Sequence, residues 1–307
     1  MISMLVQALY NIVDSMFVAR VSEAALNAVS ICYPVQMIMV AVACGTGVGI
    51  NALLSRSLGE QKPETAEQVA MHGLFLAACS WIVFALIGLF CAEAFLSLFA
   101  SDAEIMAMGV SYMQICTICS IGVFAEIAYE RIMQSTGNPI YNMIIQGAGA
   151  LINIILDPIL IFGFRMGVQG AALATILSQF VSALWVLKFL FGKKTGIRIR
   201  TKYFKVDFRL LGKITALGMA PFIMQSTESL IQICFNVTLK RFGTDLDIGA
   251  MVILTSVMQM VLMPLTGLTQ GAQPIIGYNY GAGNYARVKK TVQCTVAICC
   301  GYALLVW

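Results

Sequence analysis

Two carboxylates, an amide and a hydroxyl stand out because the runs around them are almost wholly apolar: Asp14, Asn153, Asp157 and Thr175. Asn153 and Asp157 are four residues apart, so on a helix they share one face. Their run, from Pro139 to about Gly163, has roughly the 25 residues that cross a bilayer. Pro158 follows the aspartate directly, and a glycine turn from Gly163 to Gly170 leads into a second apolar run that carries Thr175. An ionisable group at such depth is costly and normally faces a protein interior or a watery cavity, so it reads as functional. All four groups offer oxygen, the donor that suits a proton or a hard cation such as sodium.

The elements that must position these groups are membrane spans. The chain is 59% hydrophobic and 11% charged, against about 25% charged in a soluble domain. Its apolar blocks are continuous rather than alternating, which disfavours a membrane barrel. The fold class is all-α and polytopic. Spans are expected at about 1–20, 27–56, 71–99, 104–133, 140–163, 168–191, 210–240, 248–278 and 289–307. No basic region precedes the first apolar run, so no cleavable leader is expected.

Charge orients the bundle. With residue 1 on the cytoplasmic side, Arg20, Arg165, Lys240 and Arg241 fall outside and the other 15 of 19 Lys and Arg fall inside, a positive-inside bias. Asp14, Asp157 and Thr175 each lie six to eight residues from the outer end of their spans, roughly 10 Å deep at about 1.5 Å per residue. Asn153 is one turn deeper.

A repeat divides the chain. A shift of about 222 residues lays GINALLSRSLGE over GAQPIIGYNYGA, so that Gly49 meets Gly271 and Gly59 meets Gly281. Six spans separate the copies, which makes the repeat parallel, with its axis along the membrane normal. The expected units are 1–192, a six-helix lobe, 193–209, a basic cytoplasmic linker, and 210–307, a second lobe with three of its six spans. An incomplete chain is therefore expected.

These residues resemble the multidrug and toxic compound extrusion (MATE) transporters. The strongest section is GNP…N-x3-DPILIFG…MGVQGAALAT, backed by NIVDSMFVAR in the first span. The resemblance covers the whole chain and implies two six-helix lobes around a central cavity, exchanging a cytosolic drug for an incoming proton or sodium ion. One branch of the family builds its cation site from a first-span Asp, a fifth-span Asn and Asp four apart, and a sixth-span Thr. Asp14, Asn153, Asp157 and Thr175 match these one for one. Another branch uses a seventh-span Glu, matched in place by Glu228, and a tenth-span Asp that has no counterpart here.

The remaining polar groups supply substrate and coupling candidates. Glu228 is expected to be buried near mid-membrane beside Gln225, Ser226 and Thr227. Glu126 is placed near the inner mouth, and Glu130 with Arg131 reads as an interfacial pair, worth little. Met258 belongs to a methionine-rich span with Met251, Met260 and Met263, and methionine suits promiscuous apolar contacts. Pro34, Pro221, Pro264 and Pro274, like Pro158, mark expected kinks or breaks. The ten cysteines lie in apolar runs and read as packing residues, and the one histidine, His72, as interfacial.

The function expected is cation-coupled export of apolar or cationic organic compounds by alternating access. The protein would sit in the cell (inner) membrane with a cytoplasmic N-terminus. It would be monomeric when complete, bind no nucleic acid and need no cofactor beyond the coupling H+ or Na+. A lipid-linked oligosaccharide flippase would want Arg and Lys deep in the spans, and none is expected there. A membrane enzyme finds no HExxH or GxSxG. A non-transporting remnant is the last alternative.

Overall fold

The computed structural model describes residues 13, 16–17, 20–97, 102–190, 206–242 and 245–306, and among these the structure is helical with no strand. Among the described residues nine α-helices of more than one turn follow in order: α1 (Glu23–Gly59), α2 (Pro63–Ser97), α3 (Ala103–Ile118), α4 (Ile121–Ser135), α5 (Pro139–Pro158), α6 (Val168–Leu190), α7 (Phe208–Phe242), α8 (Asp245–Gly281) and α9 (Tyr285–Val306). Short polar residues start them. The Ser22 hydroxyl accepts from the Ala25 N–H at 3.0 Å and the Asp102 carboxylate accepts from the Glu104 N–H at 2.9 Å, each relieving an unpaired helix-end donor. Pro63 and Pro139 open α2 and α5, where a missing N–H costs nothing.

Among the described residues, α1, α2, α5 with its extension, and α6 are each long and apolar enough to cross a bilayer, and α3 with α4 makes a fifth, bent crossing. Large apolar side chains such as Phe90, 75% exposed, face outward, as lipid contact requires. Two apolar clusters fill the interior. One gathers Ile50, Leu54, Val69, Phe124, Ile132 and Ile214, the other Cys32, Leu96, Tyr112, Met113, Ile161 and Ala172.

The span expected at 104–133 is bent: its helix is interrupted at Cys119–Ser120 with a bend of 40°. No proline is involved. The Thr117 hydroxyl donates to the Met113 carbonyl at 2.7 Å and the Ser120 hydroxyl to the Thr117 carbonyl at 2.7 Å, local bonds that compete with the helical ladder. The Trp81 indole of α2 caps the Ile118 carbonyl at 2.8 Å, and Gly88 leaves room for the Thr117 side chain. Trp81→Phe should therefore destabilise the protein by about 1–3 kcal/mol, because a carbonyl within the bilayer loses its donor. Thermal unfolding in detergent checks this, and an unchanged transition would show that the indole is dispensable.

The prolines fall into two groups. Pro34, Pro221, Pro264 and Pro274 sit inside continuous helices and break none of them. A single lost hydrogen bond is tolerated where neighbouring groups re-satisfy the freed carbonyl. Pro158 alone changes the helix type: Ile159–Gly163 forms a π-turn, closed by the Phe164 N–H on the Ile159 carbonyl at 2.9 Å.

Glycines let the two repeats meet. Gly45 abuts Gly218 and Phe222, and Gly49 abuts the Ile214 carbonyl, so α1 and α7 run antiparallel in close contact. Farther along α1, Gly59 packs on the Tyr278 carbonyl while Gly281 packs on the Arg56 carbonyl. The 222-residue shift turns Arg56 into Tyr278 and Gly59 into Gly281. The contact is therefore reciprocal, as a two-fold relation between the repeats requires. Arg56 adds a bond to Glu60 at 2.8 Å and lies 5.4 Å from the Tyr280 ring centre. The Lys62 ammonium and the Arg56 guanidinium hold the Glu60 carboxyl below the usual carboxylate range.

Candidate functional site

α5 and α6 build the site. Gly149 leaves room for the Ser182 side chain, and Gly170 packs on the Leu160 carbonyl; these small residues let the two helices approach closely. α5 then turns Asn153 toward Thr175 of α6, with Asp157 one turn along the same face. Asp157 is 0% exposed and Asn153 1%. The Asn153 amide Nδ2 donates toward Asp157 Oδ1 at 3.5 Å and Thr175 Oγ1 at 3.4 Å. Both contacts are long, and the amide NH2 has one N–H for each of the two oxygens. The Asn153 side-chain oxygen is buried without a hydrogen-bond partner, which is costly unless some donor or cation completes it.

Carboxylate, amide carbonyl and hydroxyl thus converge in one buried place. Such a set can hold a proton on the carboxylate or an oxygen-coordinated monovalent ion. Pro158 and the π-turn lie immediately beyond, and π-turns are frequent at functional sites. Asp14, expected as the second carboxylate, lies outside the described residues.

The other candidates fall elsewhere. Glu228 is exposed and Gln225 half-buried on α7, and Met258 on α8 is 62% exposed. The expected burial of Glu228 is therefore corrected. α7 and α8 make their main contacts with α1 of the other repeat, which leaves the faces bearing Glu228 and Met258 uncovered in this chain. Glu126 is half-buried on α4.

Glu130 and Arg131 are not the interfacial pair expected. Arg131 is 4% exposed, its stem pressed on Gly47 of α1. A cation therefore does sit within the interior. The signal that could have found it is Gly47 on α1, the small residue that makes room for the guanidinium. His72 is also buried: its Nδ1 pairs with the Gln68 carbonyl at 2.7 Å and its Nε2 accepts the Asp207 N–H at 2.8 Å, tying the start of α7 to α2. The cysteines form no disulfide, and no cluster with metal-ligand chemistry occurs among the described residues.

The sequence profile of the MatE family matches residues 1–159 and 221–307. The chain belongs to the MatE family. Asn153 and Asp157 fall in the matched part, and Thr175 lies in the unmatched segment between. Multidrug export protein MepA of Staphylococcus aureus is 26% identical over 297 residues, 96% of this chain and 65% of that protein. MepA of Staphylococcus saprophyticus is 25% identical over the same shares. The chain thus spans 65% of the length of these relatives.

Solved structures agree in fold. One, described as the outward-facing conformation of a multidrug resistance MATE family transporter, superposes with a TM-score of 0.93 at 25% identity, covering 99% of this chain and 68% of its own. A second, a MOP superfamily transporter from Pyrococcus furiosus described as having a binding pocket of reverse polarity, superposes equally well over the same shares.

Proposed function

We propose that this MatE-family chain acts in cation-coupled efflux, exchanging apolar or cationic organic compounds for an incoming H+ or Na+. The observation that carries the reading is the buried, unpartnered Asn153 oxygen beside Asp157 and Thr175. The relatives named for multidrug export support the substrate class. Asp14 is assigned to the same site as its second carboxylate. The units 1–192, 193–209 and 210–307 are read as lobe, linker and second lobe, in a cell membrane with residue 1 cytoplasmic.

In that orientation the glycine crossings of α1 with α7 and α8 lie on the cytoplasmic side and close it. The site is then poised to load its cation from outside. Neutralising Asp157 removes a buried charge, lets α5 repack about Pro158 and the π-turn, and releases drug outward. Glu228, Gln225 and Met258 are assigned to the cavity face of the second lobe.

The test is accumulation of a lipophilic cationic dye in cells expressing the full-length gene product. Accumulation should fall severalfold below that of cells with empty vector. It should recover when a protonophore or removal of external sodium collapses the driving gradient. Equal accumulation with and without the protein would overturn the proposal.

A further inference from the structure

The start of α7 is held against the first repeat by more than apolar packing. Ile214 is fully buried in the cluster that contains Ile50, Leu54 and Val69. Seven residues earlier, the Asp207 N–H donates to Nε2 of His72 at 2.8 Å. His72 lies on α2 and is 5% exposed, with its Nδ1 2.7 Å from the Gln68 carbonyl. A carbonyl oxygen only accepts and a backbone N–H only donates. Both bonds together therefore require the neutral ring with its proton on Nδ1. The Asp207 carboxylate accepts the Arg209 N–H at 2.8 Å, and its carbonyl accepts those of Leu210 and Leu211. His72 thus takes the one backbone donor that this helix start leaves over.

The contact is built on one side of the two-fold only. The turns after α1 and α8 match under the 222-residue shift, Gln61 at φ 56° against Gly283 at φ 73°. The same shift lays His72 on Cys294, whose sulfur is only a weak acceptor. The charged groups brought by α7 are Asp207, turned to its own helix, and Arg209, exposed. α4 presses Arg131 on Gly47 of α1 and pairs Glu130 with Asn142 of α5. α1 meets this part of α2 with the apolar Ile50, against Gly73, and α3 meets the far half of α2 with Thr117, against Gly88. Among the described residues His72 forms no ion pair.

We propose that His72 is a proton-sensitive latch beside the glycine crossing of the repeats: the neutral ring holds the start of α7 on α2, and the protonated ring releases it. The step is a plain transfer in which hydronium gives its proton to Nε2, leaving water and a charged imidazolium. Nε2 then points a donor at the Asp207 N–H, which is left without its acceptor. Histidine is the side chain that ordinarily changes charge between about pH 5 and 8, so acid on this side loosens the crossing. That this side is cytoplasmic, and that release favours the state open to the cytoplasm, rests on the efflux reading; the latch itself does not.

Hydrogen exchange at residues 206–214, read by mass spectrometry in reconstituted full-length protein without any drug, tests the latch at about pH 8 and about pH 5.5, the two sides of the usual histidine range. Rates are compared after correction for the intrinsic effect of pH on exchange. The unaltered protein should lose protection about tenfold in acid, as loss of one buried hydrogen bond implies. H72F, which has no acceptor, should be about tenfold less protected at both pH values. H72Q, whose side-chain oxygen can accept the Asp207 N–H, should stay protected at both. Nitrogen-15 spectra of labelled histidine, with H72Q identifying the signal, should show the proton on Nδ1 at the higher pH. Equal protection at both pH values would overturn the proposal. So would protection that rises in acid, as an ion pair with the Asp207 carboxylate would make it, or a neutral ring protonated on Nε2. If H72F fails to fold, the unaltered protein and H72Q decide the matter. Dye export plays no part in this readout, so failure of the efflux reading and failure of the latch are separately visible.

Discussion

Asp157→Asn should reduce coupled export of a cationic dye to the level of cells lacking the transporter, while the protein still folds and reaches the membrane. The substitution keeps shape and polarity but removes the group that changes charge. The cation can then no longer alter the balance between conformations, because a ligand shifts an equilibrium only by its differential affinity for the two states. Stability should hold or rise, since a fully buried carboxyl no longer needs its charge compensated. Asn153→Leu should act in the opposite sense on stability. It removes the amide that bridges Asp157 and Thr175 and leaves Asp157 with one donor fewer, a cost of about 1–3 kcal/mol. Dye efflux and thermal unfolding of both variants check this. Undiminished efflux by Asp157→Asn contradicts the assignment.

The second large effect is expected where the repeats cross. A methyl group at Gly281 would meet the Arg56 carbonyl, and one at Gly59 the Tyr278 carbonyl, both backbone atoms with little freedom to yield. Gly281→Ala and Gly59→Ala should each destabilise the closed crossing by about 1–3 kcal/mol, the usual cost of overpacking. Because both act on one reciprocal contact, the double variant should cost less than the two single effects added. Gly147 on α5 has nothing within 4 Å of its missing side chain. Gly147→Ala should stabilise by up to about 1 kcal/mol through helix propensity alone. Thermal unfolding compares the three substitutions, and thiol labelling of Ser55→Cys reports opening of the crossing. If Gly281→Ala and Gly147→Ala behave alike, the crossing is not a tight contact.

Much of this architecture is legible in the sequence, for identifiable reasons. Runs of about twenty apolar residues announce spans because lipid imposes a length. The Asn153–Asp157 spacing and the depth of Thr175 follow from helix rise and period, and the structure does bring those three side chains together. The helices overrun the apolar windows: α8 extends to Gly281, beyond the expected 278, because hydropathy marks the lipid-covered part and not where hydrogen bonding stops.

What the sequence hides are relations between helices. The break at Cys119–Ser120 depends on hydroxyl back-bonds and on an indole from α2, neither of which leaves a pattern as plain as proline. Conversely, Pro34, Pro221, Pro264 and Pro274 mark kinks or breaks in the sequence, and the helices run through all four without a break. Arg131, four residues from a helix end, reads with Glu130 as an interfacial pair until Gly47 on another helix makes room for it. Glu228 reads as buried by depth alone, yet burial depends on which helices cover α7.

The most direct measurement is cation release on drug binding. Purified full-length protein in weakly buffered solution, or loaded with radioactive sodium, should give up a proton or a sodium ion when a cationic drug is added, and Asp157→Asn should bind the drug and release none. Drug binding by the unaltered protein without release of either cation, or equal release from Asp157→Asn, would contradict the account.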